Sequence, residues 1–193
     1  MFPLNLPNVL TVLRILLVPV LVVALLEETP NGSTIAAIVF VAAALTDGLD
    51  GYIARSRGSI TSFGKVMDPV ADKLLIAAAL ISLVSLDKLA AWVAMVIIAR
   101  EFAVSGLRIF AGAQGVAIPS SQLGRAKTVV QVAAVLALIA ASDHTAPWVD
   151  GLVYAAVVVT VVSGVDYFLN VRRRIEEAAL RRRESSRARH STG

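Results

Sequence analysis

The sequence predicts an all-α integral membrane protein of six transmembrane helices with both termini cytoplasmic, and three observations carry that prediction. Of 193 residues, 57% are hydrophobic and only 17% charged, giving a mean hydropathy of +0.77. A soluble domain of this size has no interior large enough to bury so much apolar surface. The apolar residues also gather into six runs, each near the ~20 residues that a helix needs to cross ~30 Å of hydrocarbon. Finally, the basic residues fall almost entirely on alternate connections between those runs, the asymmetry that sets orientation in a bilayer.

The first run, Asn8–Leu26, has no basic segment before it and reads as a retained span rather than a cleaved leader. Thr34–Ala54 is the second and Val66–Ser85 the third. Leu89–Phe110 follows as the fourth. The fifth, Gly124–Ala141, is strictly apolar only from Val129, and the sixth is Trp148–Val171. Residues 1–171 thus form one membrane domain, and 172–193 form a basic cytoplasmic tail with eight Arg against three Glu.

The connections 27–33, 86–88 and 142–147 hold four acidic residues, one His and one Lys. The opposite side receives Arg55, Arg57, Lys65, Arg108, Arg125, Lys127 and the tail. That side is cytoplasmic by the positive-inside rule, and the expected location is the cell's inner, or plasma, membrane. A net charge of +4 and pI near 9.9 point to an anionic membrane face rather than nucleic acid, because the basic residues are interleaved with apolar spans. Cysteine is absent, which excludes thiol catalysis and thiolate metal sites. Trp92 and Trp148, near the outer ends of their spans, read as interfacial anchors. His144 and His190 lie on an outer loop and in the tail, away from any candidate chemistry.

The chemistry concentrates where the second run meets the cytoplasm and the third begins. Asp47, Asp50, Asp68 and Asp72 lie in or beside apolar helices. An ionisable group there costs several kcal/mol unless it is paired, hydrated or metal-bound. The intervals of three and four residues place each pair on one helix face, and a short loop lets the two helices aim all four at one site. Converging carboxylates repel unless they share protons or bind cations. With oxygen ligands alone, the preferred ions are hard ones, Mg²⁺, Mn²⁺ or Ca²⁺, and two can be accommodated. Gly48 and Gly51 leave room for close approach of a substrate to the helix, and Arg55 offers a planar donor for phosphate oxygens.

The stretch from Asp47 to Asp72 resembles the signature of the CDP-alcohol phosphatidyltransferase family: Asp47, Asp50-Gly51, Ala54-Arg55, Gly64, Asp68 and Asp72 at the family's spacing. The resemblance implies a membrane enzyme in which a hydroxyl displaces CMP from a CDP-linked lipid, with two ions, Mg²⁺ or Mn²⁺. It implies that Asp47, Asp50, Asp68 and Asp72 are metal ligands and that Asp72 is also the general base. It further implies CDP-diacylglycerol contacts from Asn8, Thr11, Gly48, Gly51, Arg55, Thr61 and Gly64, and a homodimer. Residues 5–11, 64–75, 100–108 and 124–128, with Gln131, extend the likeness to members that use glycerol 3-phosphate as acceptor. Arg125 stands where many relatives carry Lys.

Glycerol 3-phosphate is a small dianion, so its pocket should collect cations at the membrane boundary. Arg100, Arg108, Arg125 and Lys127 are the candidates, with snorkelling at helix ends as the competing explanation for the last three. Arg100 lies deepest and needs a partner. Glu101 points about 100° away on a helix, so that partner is expected elsewhere. Arg14 and Asp166, at similar depth in the first and last spans, suggest an interhelical pair. Two other readings remain at this point: a related enzyme whose acceptor is phosphatidylglycerol or an inositol phosphate, and a membrane transporter.

Overall fold

The computed structural model describes residues 6–27, 31–57, 62–116, 122–141 and 143–191, with side chains described for 9–27, 31–46, 67, 69–116, 122–141, 143–178 and 180. Six helices follow one another: α1 (Leu6–Leu26), α2 (Gly32–Arg57), α3 (Ser62–Ser85), α4 (Ala91–Ala113), α5 (Gln122–Ala140) and α6 (Pro147–Ser191). Among the described residues there is no strand. Each apolar run of the sequence has become one helix, because a backbone surrounded by apolar side chains must satisfy its own polar groups internally.

Short connections make successive helices antiparallel. Asp87, at φ 55°, turns the chain between α3 and α4, a left-handed conformation that Asp tolerates better than most residues. Gly115, at φ 72°, ends α4 as the Val116 N–H reaches back to the Ala111 carbonyl. α1 packs on α2 and α3, α6 packs on α4 and α5, and α2 and α3 join the two groups through α5 and α4. The core between them is mainly aliphatic and aromatic, built on Leu21, Phe40, Leu75, Leu80, Leu83, Val135 and Ile139. The outside is equally apolar. Leu16, Ile38, Met95, Ile109 and Val129 are all more than 60% exposed, far more apolar surface than water tolerates on a monomer.

Three helices contain stretches long and apolar enough to cross a membrane: Val9–Leu26, Gln122–Ala140 and Pro147–Ala178; Gly32–Thr46 is a shorter apolar stretch. α3 and α4 fall outside that set among the described residues. The reason is visible in their sequences, since α3 carries Asp68, Asp72 and Lys73 and α4 carries Arg100, Glu101 and Arg108. Trp92 and Trp148 are exposed in the first turns of α4 and α6, as interfacial anchors would be.

Beyond Val171, α6 continues as one helix to Ser191. Arg, Glu, Ala and Leu are strong helix formers, and an i,i+4 ion pair from Arg172 to Glu176 at 2.9 Å supports the extension. One expectation needs correction: Arg14 and Asp166 do not meet. They lie in different groups of packed helices, and Asp166 accepts from Asn170 Nδ2 at 3.1 Å.

Candidate active site

At the end of the bundle where α2 finishes and α3 begins, helix continuity sets the positions of the acidic residues. Asp47 and Asp50 lie in unbroken α2, Asp68 and Asp72 in unbroken α3, and the two helices pack together with four residues between them. The side chains of Asn8, Asp47, Gly48, Asp50, Gly51, Arg55, Gly64 and Asp68 lie outside the described set, and Thr61 lies outside the described residues altogether. Among the described residues no group of three metal-ligating side chains assembles. Asp72 is described, partly buried and at the edge of a cavity. Pro69, one turn before it, lacks an N–H and so cannot make the helical bond to the carbonyl of residue 65. Lys73 Nζ donates to the Pro69 carbonyl at 3.3 Å. Thr11 and Arg14, three apart on one face of α1, are fully buried, and α1 packs on the two helices that carry the aspartates.

The cavity beside Asp72 has a volume of about 470 Å³ and lies among α2, α3, α4, α5 and α6. Four cations expected from the sequence line it together: Arg100, Arg108, Arg125 and Lys127. Each arrives by a simple register. Arg100 and Arg108 are eight residues apart, about 80° round α4, while Arg125 and Lys127 occupy the first turns of α5. Counting Lys73, the lining carries five cations against Asp72 and Glu101, a surplus suited to a dianion.

The cations are held in different ways. Arg100 Nη1 donates to Glu101 Oε1 at 3.0 Å, and Nη2 donates to Ser163 Oγ on α6 at 3.0 Å. The adjacent residue is therefore a partner after all. Cβ atoms 100° apart do not prevent two long side chains from bending their tips together. The Arg100 stem lies against Gly164, where an added Cβ would come within 3.2 Å of Arg100 Cγ and push the arginine stem aside by a few tenths of an ångström.

Lys127 does not snorkel. It is buried, and Nζ donates to the same Glu101 Oε1 at 2.5 Å. Glu101 is thus the shared counter-ion of two cations, a role the sequence reading missed. Asp72 lies within electrostatic reach of Lys127, which ties the acidic end of the site to the basic one. Arg108 donates from Nε to the Tyr167 hydroxyl at 3.4 Å, with its guanidinium 5.7 Å from the ring centroid. Tyr167 is itself buried with Ala111 and Val171, so a small apolar cluster fixes the arginine's platform. Arg125 is exposed at the cavity mouth.

A carboxylate facing a cluster of guanidinium and ammonium groups can accept a proton from a hydroxyl while those cations hold a phosphate. Comparison with known proteins agrees with such chemistry. The family model described as CDP-alcohol phosphatidyltransferase matches residues 4–162. A Bacillus subtilis (strain 168) protein named CDP-diacylglycerol--glycerol-3-phosphate 3-phosphatidyltransferase is 42% identical over 180 residues, covering 85% of this chain and 93% of that protein. A Mycobacterium tuberculosis (strain H37Rv) protein named probable phosphatidylglycerophosphate synthase is 42% identical over 169 residues, covering 84% of this chain and 79% of its own. A rice protein named cardiolipin synthase (CMP-forming) is 39% identical over 174 residues, covering 83% of this chain and 53% of its own.

Proposed function

The chain belongs to the CDP-alcohol phosphatidyltransferase family, and on that premise we propose that it transfers the phosphatidyl group of CDP-diacylglycerol to sn-glycerol 3-phosphate, releasing CMP and phosphatidylglycerol phosphate. The observation that carries this reading is the cavity that gathers Arg100, Arg108, Arg125 and Lys127 beside Asp72. A phosphate dianion fits the four cations, and its carbon chain then extends toward the carboxylate. Glu101 keeps Arg100 and Lys127 in place before the acceptor arrives.

In the reaction, Asp72 accepts the proton of the acceptor's C1 hydroxyl. The freed oxygen attacks the phosphatidyl phosphorus, the pyrophosphate P–O bond breaks, and the electron pair leaves with CMP. Family members depend on divalent cations. Four carboxylates at helical spacing form a hard, all-oxygen donor set that fits Mg²⁺ or Mn²⁺, so Asp47, Asp50, Asp68 and Asp72 are the residues that would hold two such ions. When bound, the ions supply charge stabilisation at the pyrophosphate. Gly48, Gly51, Arg55, Thr61 and Gly64, with Asn8 and Thr11 of α1, form the CDP-diacylglycerol site, and the acyl chains stay in lipid.

The same reading makes all six helices membrane spans, with α3 and α4 admitting charges because those charges face the site rather than lipid. Both termini and the active site are then at the cytoplasmic face of the inner membrane, and the protein acts as a homodimer. The likeness to the rice cardiolipin synthase supports a second reading, in which phosphatidylglycerol is the acceptor. An acceptor screen decides between them: purified protein in detergent with CDP-diacylglycerol, scoring CMP release with glycerol 3-phosphate, phosphatidylglycerol or inositol phosphate. Release with glycerol 3-phosphate alone is the expected result. Release only with another acceptor overturns the assignment.

A further inference from the structure

Gln131 lies one helical turn deeper along α5 than Lys127, on the same face. It is only 2% exposed, and neither its amide oxygen nor its amide nitrogen has a hydrogen-bond partner. Buried side-chain amides are rarely left so, because water is lost and nothing replaces it. Among the described residues, two spaces border Gln131. Below it is a void of about 10 Å³ whose other lining residues are all apolar, among them Leu80, Ile97 and Val135. That void offers a water no second polar contact, whereas a buried water needs two or more. Above it is the 470 Å³ cavity with its charged lining, so the amide can find partners only from there.

An amide presents both donors and an acceptor. A phosphate dianion accepts only and would leave the Gln131 oxygen unmatched, and it already has four cations to bind. A hydroxyl both donates and accepts, and so satisfies both amide atoms. We propose that Gln131 is a specificity-determining residue that reads the secondary (C2) hydroxyl of the acceptor, its amide turning up into the cavity about its terminal torsions. The inference rests on the glycerol 3-phosphate reading above. The acceptor would then be gripped at three points: phosphate on the cations, C1 hydroxyl on Asp72, and C2 hydroxyl on Gln131.

The test compares glycerol 3-phosphate with 3-hydroxypropyl phosphate, which keeps the phosphate and the attacking hydroxyl but lacks the C2 hydroxyl. A site built to bond a hydroxyl rejects the analogue that lacks it. Wild type is expected to favour glycerol 3-phosphate by about tenfold or more in kcat/KM, a ratio that Gln131→Met, close in shape but unable to pair, brings to within about twofold. The KM for CDP-diacylglycerol stays unchanged. Gln131→Asn, with a shorter amide, serves as second variant and is expected to fall between. An unchanged ratio in both variants, or a wild type that does not distinguish the two acceptors, overturns the inference while leaving the synthase reading intact. A wild type that releases CMP with neither acceptor removes that reading and this inference together.

Discussion

Replacing Glu101 by Gln should cost more stability than replacing Lys127 by Met, although each removes one charge from the same buried pair. Glu101 Oε1 lies 3.0 Å from Arg100 Nη1 and 2.5 Å from Lys127 Nζ, and the three side chains are 13%, 14% and 6% exposed respectively. Two nitrogens so close to one oxygen are at most about 5.5 Å apart, and like charges at that separation repel by about 3 kcal/mol at an effective dielectric constant of 20. Glu101→Gln removes the shared counter-charge and leaves that repulsion in place. The loss should then reach ~3–5 kcal/mol, the range for a buried ion deprived of its partner. Lys127→Met leaves the carboxylate with Arg100 and abolishes the repulsion, so its cost should be only ~1–2 kcal/mol. Adding Lys127→Met to Glu101→Gln should restore part of what the first change took away. Unfolding of the purified variants in detergent, followed by temperature and by denaturant, measures all three. A larger loss in Lys127→Met than in Glu101→Gln, or strictly additive losses in the double variant, would refute the counter-ion reasoning.

Asp72→Asn should lower turnover by about 10²-fold or more, because the amide cannot accept the hydroxyl proton; single-turnover CMP release measures it. Chelating divalent ions should abolish turnover in wild type, with activity returning on adding Mg²⁺ or Mn²⁺, and persistence of activity in chelator would remove the metal from the mechanism. Arg108→Ala should raise the KM for glycerol 3-phosphate roughly ten- to a hundred-fold while leaving that for CDP-diacylglycerol alone. If only expression falls, the residue is a membrane anchor. Single cysteines introduced at positions 60, 144 and 185 of this cysteine-free chain should be labelled from outside intact cells only at 144, and outside labelling at 60 or 185 would break the topology.

Helix number and order are legible in the sequence because apolar run length is a direct consequence of bilayer thickness. The end of α6 is not, since hydropathy changes at Val171 while helix propensity does not. Arg100, Arg108, Arg125 and Lys127 are legible as a group, because cations near apolar spans demand a reason, and the cavity brings them together. Their partners are harder to read. Glu101 is turned away when only Cβ directions are considered, and Ser163 on α6 is a small hydroxyl in an apolar run that signals nothing by itself. Gln131 stands out only once burial shows both amide atoms unpaired. The Arg14–Asp166 pairing fails for a different reason: equal depth in two spans says nothing about which helices are neighbours.

Arg100 finds its surroundings late in the life of the chain. Ser163, which accepts from its guanidinium, lies 63 residues downstream, and the lysine that shares its counter-ion lies 26 residues past Glu101. Gly164, against which its stem rests, also belongs to the last helix. Among the described residues, the one polar partner of Arg100 already present when α4 has been made is its neighbour Glu101. The acidic half of the molecule, α1 to α3, is complete in sequence before any of this is resolved. The cavity is consequently lined in full only once α6 packs on α4 and α5. A chain stopped before α6 would carry all four aspartates and still lack Ser163 and Gly164 beside Arg100 and Tyr167 beside Arg108.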